Sequence, residues 1–193
     1  MPRLRFAMVC ASNMNRSMEA HDTLQRHKLF VRSYGVGQHV KLPGASKDAP
    51  NVYAFGTPYR TIYDDLRGKD AALYTRNGLL RMLERNVAVK AAPEKWQHDR
   101  EHQFDVAVCF EEKVMDQVVE DMFNRAPASM KPLLVINIDV KDNHEEAARV
   151  APQALWLCQK LDACDTWEDG IDAVLRDFEQ QHGRRATYTV CHY

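Results

Sequence analysis

Cys10 and Arg16 share one short run, Cys10-Ala11-Ser12-Asn13-Met14-Asn15-Arg16-Ser17, with five residues between them. A thiol and a guanidinium that close together suit the capture and cleavage of a phosphate ester. The planar fork of an arginine can grip two phosphate oxygens while a thiolate attacks the phosphorus. Apolar Phe6-Ala7-Met8-Val9 leads into Cys10 and an amphipathic pattern opens at Ser17, so the run falls at a strand-to-helix junction. Backbone N–H groups at a helix N-terminus point outward with the positive end of the helix dipole behind them, and a curled loop adds more inward-facing N–H groups. Ala11, Ser12, Asn13, Met14, Asn15 and Arg16 are therefore the expected phosphate-binding residues. The same positive surroundings favour the thiolate at Cys10. Ser17 can donate its hydroxyl to that thiolate and stabilise it as a leaving group when a phosphocysteine is hydrolysed. Asn13 suits a left-handed backbone, which asparagine tolerates better than most residues. The competing reading is an inert strand-end thiol with a surface arginine. The apolar run before, the helix after and the serine following Arg16 weigh against it.

A serine alkoxide leaves poorly, so this chemistry also needs a proton donor on the far side of the phosphorus from Cys10. Asp139 and Asp142 follow the apolar stretch at 133–138 and precede a helical stretch, a suitable place for such a donor. Two carboxylates three residues apart can divide the work, one protonated and the other holding it in position. Either could instead cap the next helix. His21, His39 and His144 have no mutual spacing that suggests a metal, and the mechanism requires neither a metal nor another cofactor.

The elements that must carry these residues alternate. Apolar runs at 4–10, 104–110 and 133–139 read as buried strands, with a fourth candidate at 30–34. Helical patterns cover 17–27, 75–85, 112–124, 145–161 and 167–181. This order predicts a three-layer, doubly wound, mostly parallel α/β sheet with the phosphate loop after the first strand. In such folds ligands bind beyond the carboxyl ends of the strands. Residues 41–67 fit least well, because Pro43, Gly44, Pro50, Gly56 and Pro58 interrupt them; loops and a short helix are expected there. Pro152 is expected to kink or split the helix at 145–161.

The chain has 193 residues and 45% apolar composition, enough for one core, and a single domain over 1–193 is expected. Its 26 basic and 27 acidic side chains leave a formal charge of -1, which gives no general attraction to nucleic acid or to an anionic membrane. Neither is an expected partner. The apolar part of the N-terminal stretch is too short for a signal peptide or a membrane span, and five widely spaced cysteines suggest reduced thiols. A soluble intracellular protein is expected.

Longer blocks carry a family resemblance. Val9-Cys10-Ala11-Ser12-Asn13-Met14-Asn15-Arg16-Ser17-Met18-Glu19-Ala20-His21 resembles the signature of the eukaryotic serine phosphatases that act on the C-terminal domain of RNA polymerase II, relatives of low-molecular-weight tyrosine phosphatases. The likeness continues through His39-Val40-Lys41-Leu42-Pro43-Gly44, Pro50-Asn51-Val52-Tyr53, Leu73-Tyr74-Thr75-Arg76-Asn77-Gly78, Val118-Val119-Glu120-Asp121, Asp142-Asn143-His144-Glu145-Glu146-Ala147 and Thr189-Val190-Cys191-His192-Tyr193. Ala11, His192 and Pro152 depart from the family pattern without removing a catalytic group.

The resemblance implies a low-molecular-weight phosphatase-like fold. It also implies hydrolysis of phosphoserine at the fifth position of the heptad Tyr-Ser-Pro-Thr-Ser-Pro-Ser with the following Ser-Pro bond in cis, and the seventh-position serine as a second target. It makes Asp142 the general acid and Asp139 its neighbour. Lys41, Leu42, Pro43, Gly44, Tyr74 and Met82 match the peptide-groove positions. The helical spacing of Tyr74 and Met82 is equally compatible with core. A nuclear location, a role in mRNA 3′-end processing and binding to the scaffold symplekin are implied as well. The alternatives are a low-molecular-weight protein tyrosine phosphatase, which a deep aromatic-lined slot would favour, and a non-catalytic scaffold of the processing machinery.

Overall fold

The computed structural model describes residues 3–193; Met1 and Pro2, at the start of the N-terminal stretch, lie outside the described residues. Five strands form the central sheet: β1 (Arg5–Cys10), β2 (Phe30–Gly35), β5 (Val106–Cys109), β6 (Pro132–Ile138) and β7 (Ala186–His192), in the order β2-β1-β5-β6-β7. The first four run parallel, and β7 pairs antiparallel with β6. Alternation along β1 explains why it reads as one apolar run. Phe6, Met8 and Cys10 face one helical layer while Ala7 and Val9 face the other, so both faces are buried.

The first layer holds α1 (Arg16–Arg26), α5 (His144–Ala163) and α6 (Trp167–His182). Each buries one stripe; on α6 it is Trp167, Ile171, Val174, Leu175 and Phe178, the spacing of an amphipathic helix. The opposite layer is α4 (Glu112–Asn124), which buries Val114, Val118 and Met122 against Ala7, Val9, Ala107 and Val135. Tyr34, Trp96 and Phe104 close that side.

A third cluster lies beside the sheet and holds the phosphate loop in place. Here the chain departs from the sequence reading. Residues 41–67 are not mainly loop. They contain a hairpin of β3 (Val40–Leu42) and β4 (Asn51–Tyr53), followed by the start of the long helix α2 (Tyr59–Arg76). The helix expected at 75–85 is the end of α2 and most of α3 (Leu79–Val89), broken where Gly78 adopts φ 80°. That conformation is cheap only for glycine. α2 is itself interrupted at Asp70 (φ -163°, ψ 89°), whose carboxylate accepts from the Leu73 N–H at 3.0 Å and restarts the helix.

β7 is a further addition to the expected strands. Pro152 does not split α5, which runs unbroken from His144 to Ala163. Pro152 and Ala148 are both exposed, so the carbonyl that loses its helical donor faces water, while Ala147, Val150, Ala151 and Ala154 hold the other side of the helix in the core.

Candidate active site

The phosphate loop leaves the carboxyl end of β1, whose neighbours β2 and β5 connect in opposite directions along the sheet. This is the crevice where doubly wound folds bind ligands. The loop's carbonyls are drawn outward by donors from elsewhere. The Cys10 carbonyl accepts from Val36 N at 3.1 Å and that of Ala11 from Gly37 N at 3.0 Å. The Asn13 carbonyl accepts from the Tyr59 hydroxyl at 2.6 Å, and the Met14 carbonyl from Asn86 Nδ2 at 2.9 Å and Arg85 Nη2 at 3.2 Å. With carbonyls turned out, the loop can present N–H groups inward, as an anion nest requires.

Gly35 is needed for this approach, because a Cβ there would lie 2.7 Å from the Ala11 carbonyl oxygen. Asn13 sits at φ 54° and is fully buried. Its Nδ2 donates to Ser17 Oγ at 3.0 Å and its Oδ1 accepts from Glu94 N at 3.0 Å. Because Ser17 Oγ accepts from Asn13, its own hydrogen is free for Cys10 Sγ, 2.9 Å away. No side chain caps α1: Asn15, at the N-cap position, instead donates from Nδ2 to Asp142 Oδ1 at 2.9 Å. The positive end of α1 is thereby left to the loop.

Arg16 is 3% exposed. Its Nη1 donates to the carbonyls of Phe110 (3.2 Å) and Val140 (2.8 Å), at the ends of β5 and β6, and both terminal nitrogens lie 3.2 Å from Glu111 Oε2. Nε is buried without a hydrogen-bond partner among the described residues, and Asp142 Oδ1 lies 3.6 Å from it. A desolvated donor is costly to leave unmade, and an anion in the loop would satisfy it.

The two aspartates have different surroundings. Asp139 Oδ1 accepts from Glu112 N at 3.0 Å, at the start of α4, and from Asn137 Nδ2 at 3.1 Å. It therefore caps the preceding helix, while the helix that follows is capped by Asn143, whose Oδ1 accepts from Glu146 N at 2.8 Å. Asp142 caps neither. It is 61% exposed and borders both the narrow cleft over Cys10, about 100 Å³, and a wider cavity of about 620 Å³ lined by Arg16, Glu111 and Arg184.

Cys10, Ser12, Met14, Asn15, Lys41, Leu42, Pro43 and Met82 border the narrow cleft, joined by Leu79, Asn143 and His144. Lys41 N donates to Ser12 Oγ at 3.1 Å and fixes the hairpin to the loop. Tyr74 and Gly44 are not brought to the cleft. Tyr74 is buried in the third cluster, where its hydroxyl accepts from Asn51 Nδ2 at 2.9 Å. Gly44 lies in the eight-residue loop between β3 and β4, where a Cβ would collide with the Ala49 carbonyl oxygen at 1.7 Å.

Sequence reasoning missed Tyr59, Arg85, Asn86 and Glu111. For Glu111 a signal existed, since it directly follows the end of a predicted strand, where ligand-binding residues gather. The other three carry none. All five cysteines are free thiols, and burial pushes the Cys109 and Cys158 thiols well up, so neither is a rival nucleophile.

Comparison with known proteins gives a concordant result. The model of the Ssu72-like protein family matches residues 4–193. The human RNA polymerase II C-terminal domain phosphatase SSU72 is 48% identical over 190 residues, covering 98% of this chain and 97% of the relative. Its Dictyostelium discoideum counterpart is 45% identical over 192 residues, covering 98% and 90%. A crystal structure of Drosophila melanogaster Ssu72 with symplekin, bound to a cis peptidomimetic of the C-terminal domain phosphorylated on the fifth-position serine, superposes with a TM-score of 0.96. It has 41% identity and full coverage of both chains.

Proposed function

The chain belongs to the Ssu72-like family, and from that premise we propose that it is a protein serine phosphatase of the RNA polymerase II C-terminal domain, working through a phosphocysteine. It removes phosphate from the fifth-position serine of the heptad, with the seventh-position serine as a second target. The whole chain acts as one phosphatase domain. It works in the nucleus in transcription and mRNA 3′-end processing, with a symplekin-type scaffold as partner; the polymerase in the human relative's name and the symplekin in the Drosophila structure support this reading.

The observation that carries the mechanism is the thiol of Cys10 at 2.9 Å from a serine hydroxyl oriented by Asn13, on the same loop as Arg16, with its buried Nε. Arg16 and the loop N–H groups hold the phosphoryl oxygens. The Cys10 thiolate attacks phosphorus, the S–P bond forms as the O–P bond breaks, and the serine oxygen takes the proton of Asp142. In the second step the Asp142 carboxylate takes a proton from water as the water attacks the phosphocysteine. The thiolate then leaves with the Ser17 hydroxyl donating to it. Asp139 holds the start of α4, and through it Glu111, the partner of Arg16.

Leu42, Pro43, Leu79 and Met82 provide aliphatic walls suited to the prolines of the heptad. No Phe, Tyr or Trp among the described residues lines the cleft, which disfavours a slot for phosphotyrosine. Intact Cys10 and Arg16 in this arrangement weigh against a non-catalytic scaffold. The test is turnover of phosphoserine heptads against phosphotyrosine peptides, with Cys10→Ser as the inactive control. Higher kcat/KM on the heptads is expected; equal or better use of phosphotyrosine would overturn the substrate, and no release from either would revive the scaffold.

A further inference from the structure

Asp142 is exposed and, among the described residues, its carboxylate meets only Asn15 and Arg16, yet a general acid must meet the leaving oxygen within a narrow range of positions. The segment that carries it is fastened at both ends. On the sheet side, Arg184 donates from Nη1 to the Asp139 carbonyl at 2.7 Å and from Nη2 to Glu146 at 3.2 Å, tying the end of β6 to the first turn of α5. On the cleft side, His144 reaches over to the α2–α3 turn, where its Nε2 lies 3.0 Å from the Asn77 carbonyl oxygen. A carbonyl can only accept, so Nε2 carries the hydrogen.

The turn is shaped to receive the ring. A Cβ on Gly78 would come within 3.1 Å of His144 Nε2 and 3.2 Å of Cδ2, so glycine at this position serves the ring as well as the left-handed backbone. His144 borders the same cleft as Cys10, Ser12 and Asp142, so the contact joins the acid-bearing segment to the opposite wall of the site.

We propose that His144 is a positioning residue for the general acid: its hydrogen bond to Asn77 clamps the start of α5 across the cleft and fixes where the Asp142 carboxyl meets the leaving oxygen. The proposal rests on Asp142 being that acid. It also gives the α2–α3 turn a part in the chemistry, although no side chain of that turn needs to touch the substrate.

The test uses two substrates that differ in their need for a proton. His144→Ala should lower kcat on a phosphoserine heptad by about 10- to 100-fold while lowering turnover of 4-nitrophenyl phosphate, whose leaving group is stable as an anion, by less than about threefold. Competitive inhibition by inorganic phosphate should be unchanged. His144→Gln, whose amide N–H can reach the same carbonyl, should recover most of the heptad rate. In an Asp142→Asn background, His144→Ala should cost nothing further, because it acts through the acid already removed.

Equal losses on both substrates, a loss confined to KM, or full additivity with Asp142→Asn would overturn the clamp. If His144→Ala does not fold by circular dichroism, Gly78→Ala, which displaces the ring, is judged by the same pattern. Asp142→Asn alone separates the two levels. If it slows both substrates alike, the acid assignment fails and the clamp with it; if it slows only the heptad while His144→Ala is uniform, the clamp alone fails.

Discussion

Removing the hydroxyl of Tyr59 tests whether catalysis depends on carbonyls being held away from the phosphate. Tyr59→Phe keeps the ring in its fully buried site and deletes the 2.6 Å contact to the carbonyl of Asn13, together with a longer one of 3.4 Å to its Oδ1. That residue is the left-handed one in the loop, at φ 54°, so its peptide planes set the direction of the neighbouring N–H groups. Losing a buried hydrogen bond and leaving its acceptor unpaired costs about 1–3 kcal/mol. For a chain of this size each kcal/mol lowers Tm by about 2–4 °C, so a fall of about 2–12 °C is expected in a thermal melt.

The catalytic consequence is read from competitive inhibition by inorganic phosphate. A loop freed to rotate one peptide should bind it about 5- to 30-fold more weakly, the equivalent of about 1–2 kcal/mol. Burial, and then the neighbouring Cys10 charge, push the Tyr59 phenol well above its ordinary range, so it remains a donor at every working pH. The difference between the two proteins should therefore be flat across neutral and mildly alkaline pH. A lower Tm with unchanged phosphate inhibition would show that the hydroxyl supports only the fold. No change in either would refute the reasoning.

Two further outcomes concern stability. Pro152→Ala restores a backbone donor to an exposed stretch of α5 and removes the ring's clash with the preceding turn, so the urea midpoint should rise by the equivalent of about 1–3 kcal/mol with an unchanged slope. His21, hydrogen-bonded to Ser33 at 2.7 Å, is lowered to about 4 by burial and then by the Lys90 charge. Its folded value lies below the unfolded one, so its contribution is complete above about pH 6.5 and is lost as pH falls toward 4, a difference on the order of 3 kcal/mol. Urea unfolding at stepped pH should show that slope in the native chain and a shallower one in His21→Gln; parallel curves would remove His21 as the cause.

What could be read from the sequence follows from how local each feature is. Cys10, Arg16 and Ser17 occupy one contiguous stretch, and their strand and helix are among the most regular in the chain. β1, β5 and β6 are covered on both faces and stand out as apolar runs. β7 is an edge strand in which no residue is fully buried, so Ala186–His192 has no such run. β3 and β4 are three residues each, too short for alternation to register, and their flanking Pro43, Gly44 and Pro50 read as breakers. In α2, Tyr59, Ile62 and Leu66 share a face, but the interruption at Asp70 changes the register before Tyr74. The donors that hold the loop are remote: Tyr59 bonds across 46 positions and Asn86 across 72, separations that no periodicity encodes.

The dependence of the loop on those remote donors limits its portability. Met14 and Met18 pack in one cluster with Tyr59, Ile62, Leu79 and Leu83, so the phosphate loop and the segment 59–89 share a single hydrophobic interior. Residues 10–17 grafted onto another doubly wound scaffold would carry the thiol and guanidinium but lose the groups that aim the backbone, and little turnover should survive the transfer. In descent, the loop and this segment must drift together, since a change at Asn86 or Tyr59 is felt at Met14 or Asn13. For inhibitor design, a compound wedged between α1 and α3 could silence the enzyme while leaving the strongly polar phosphate site untouched.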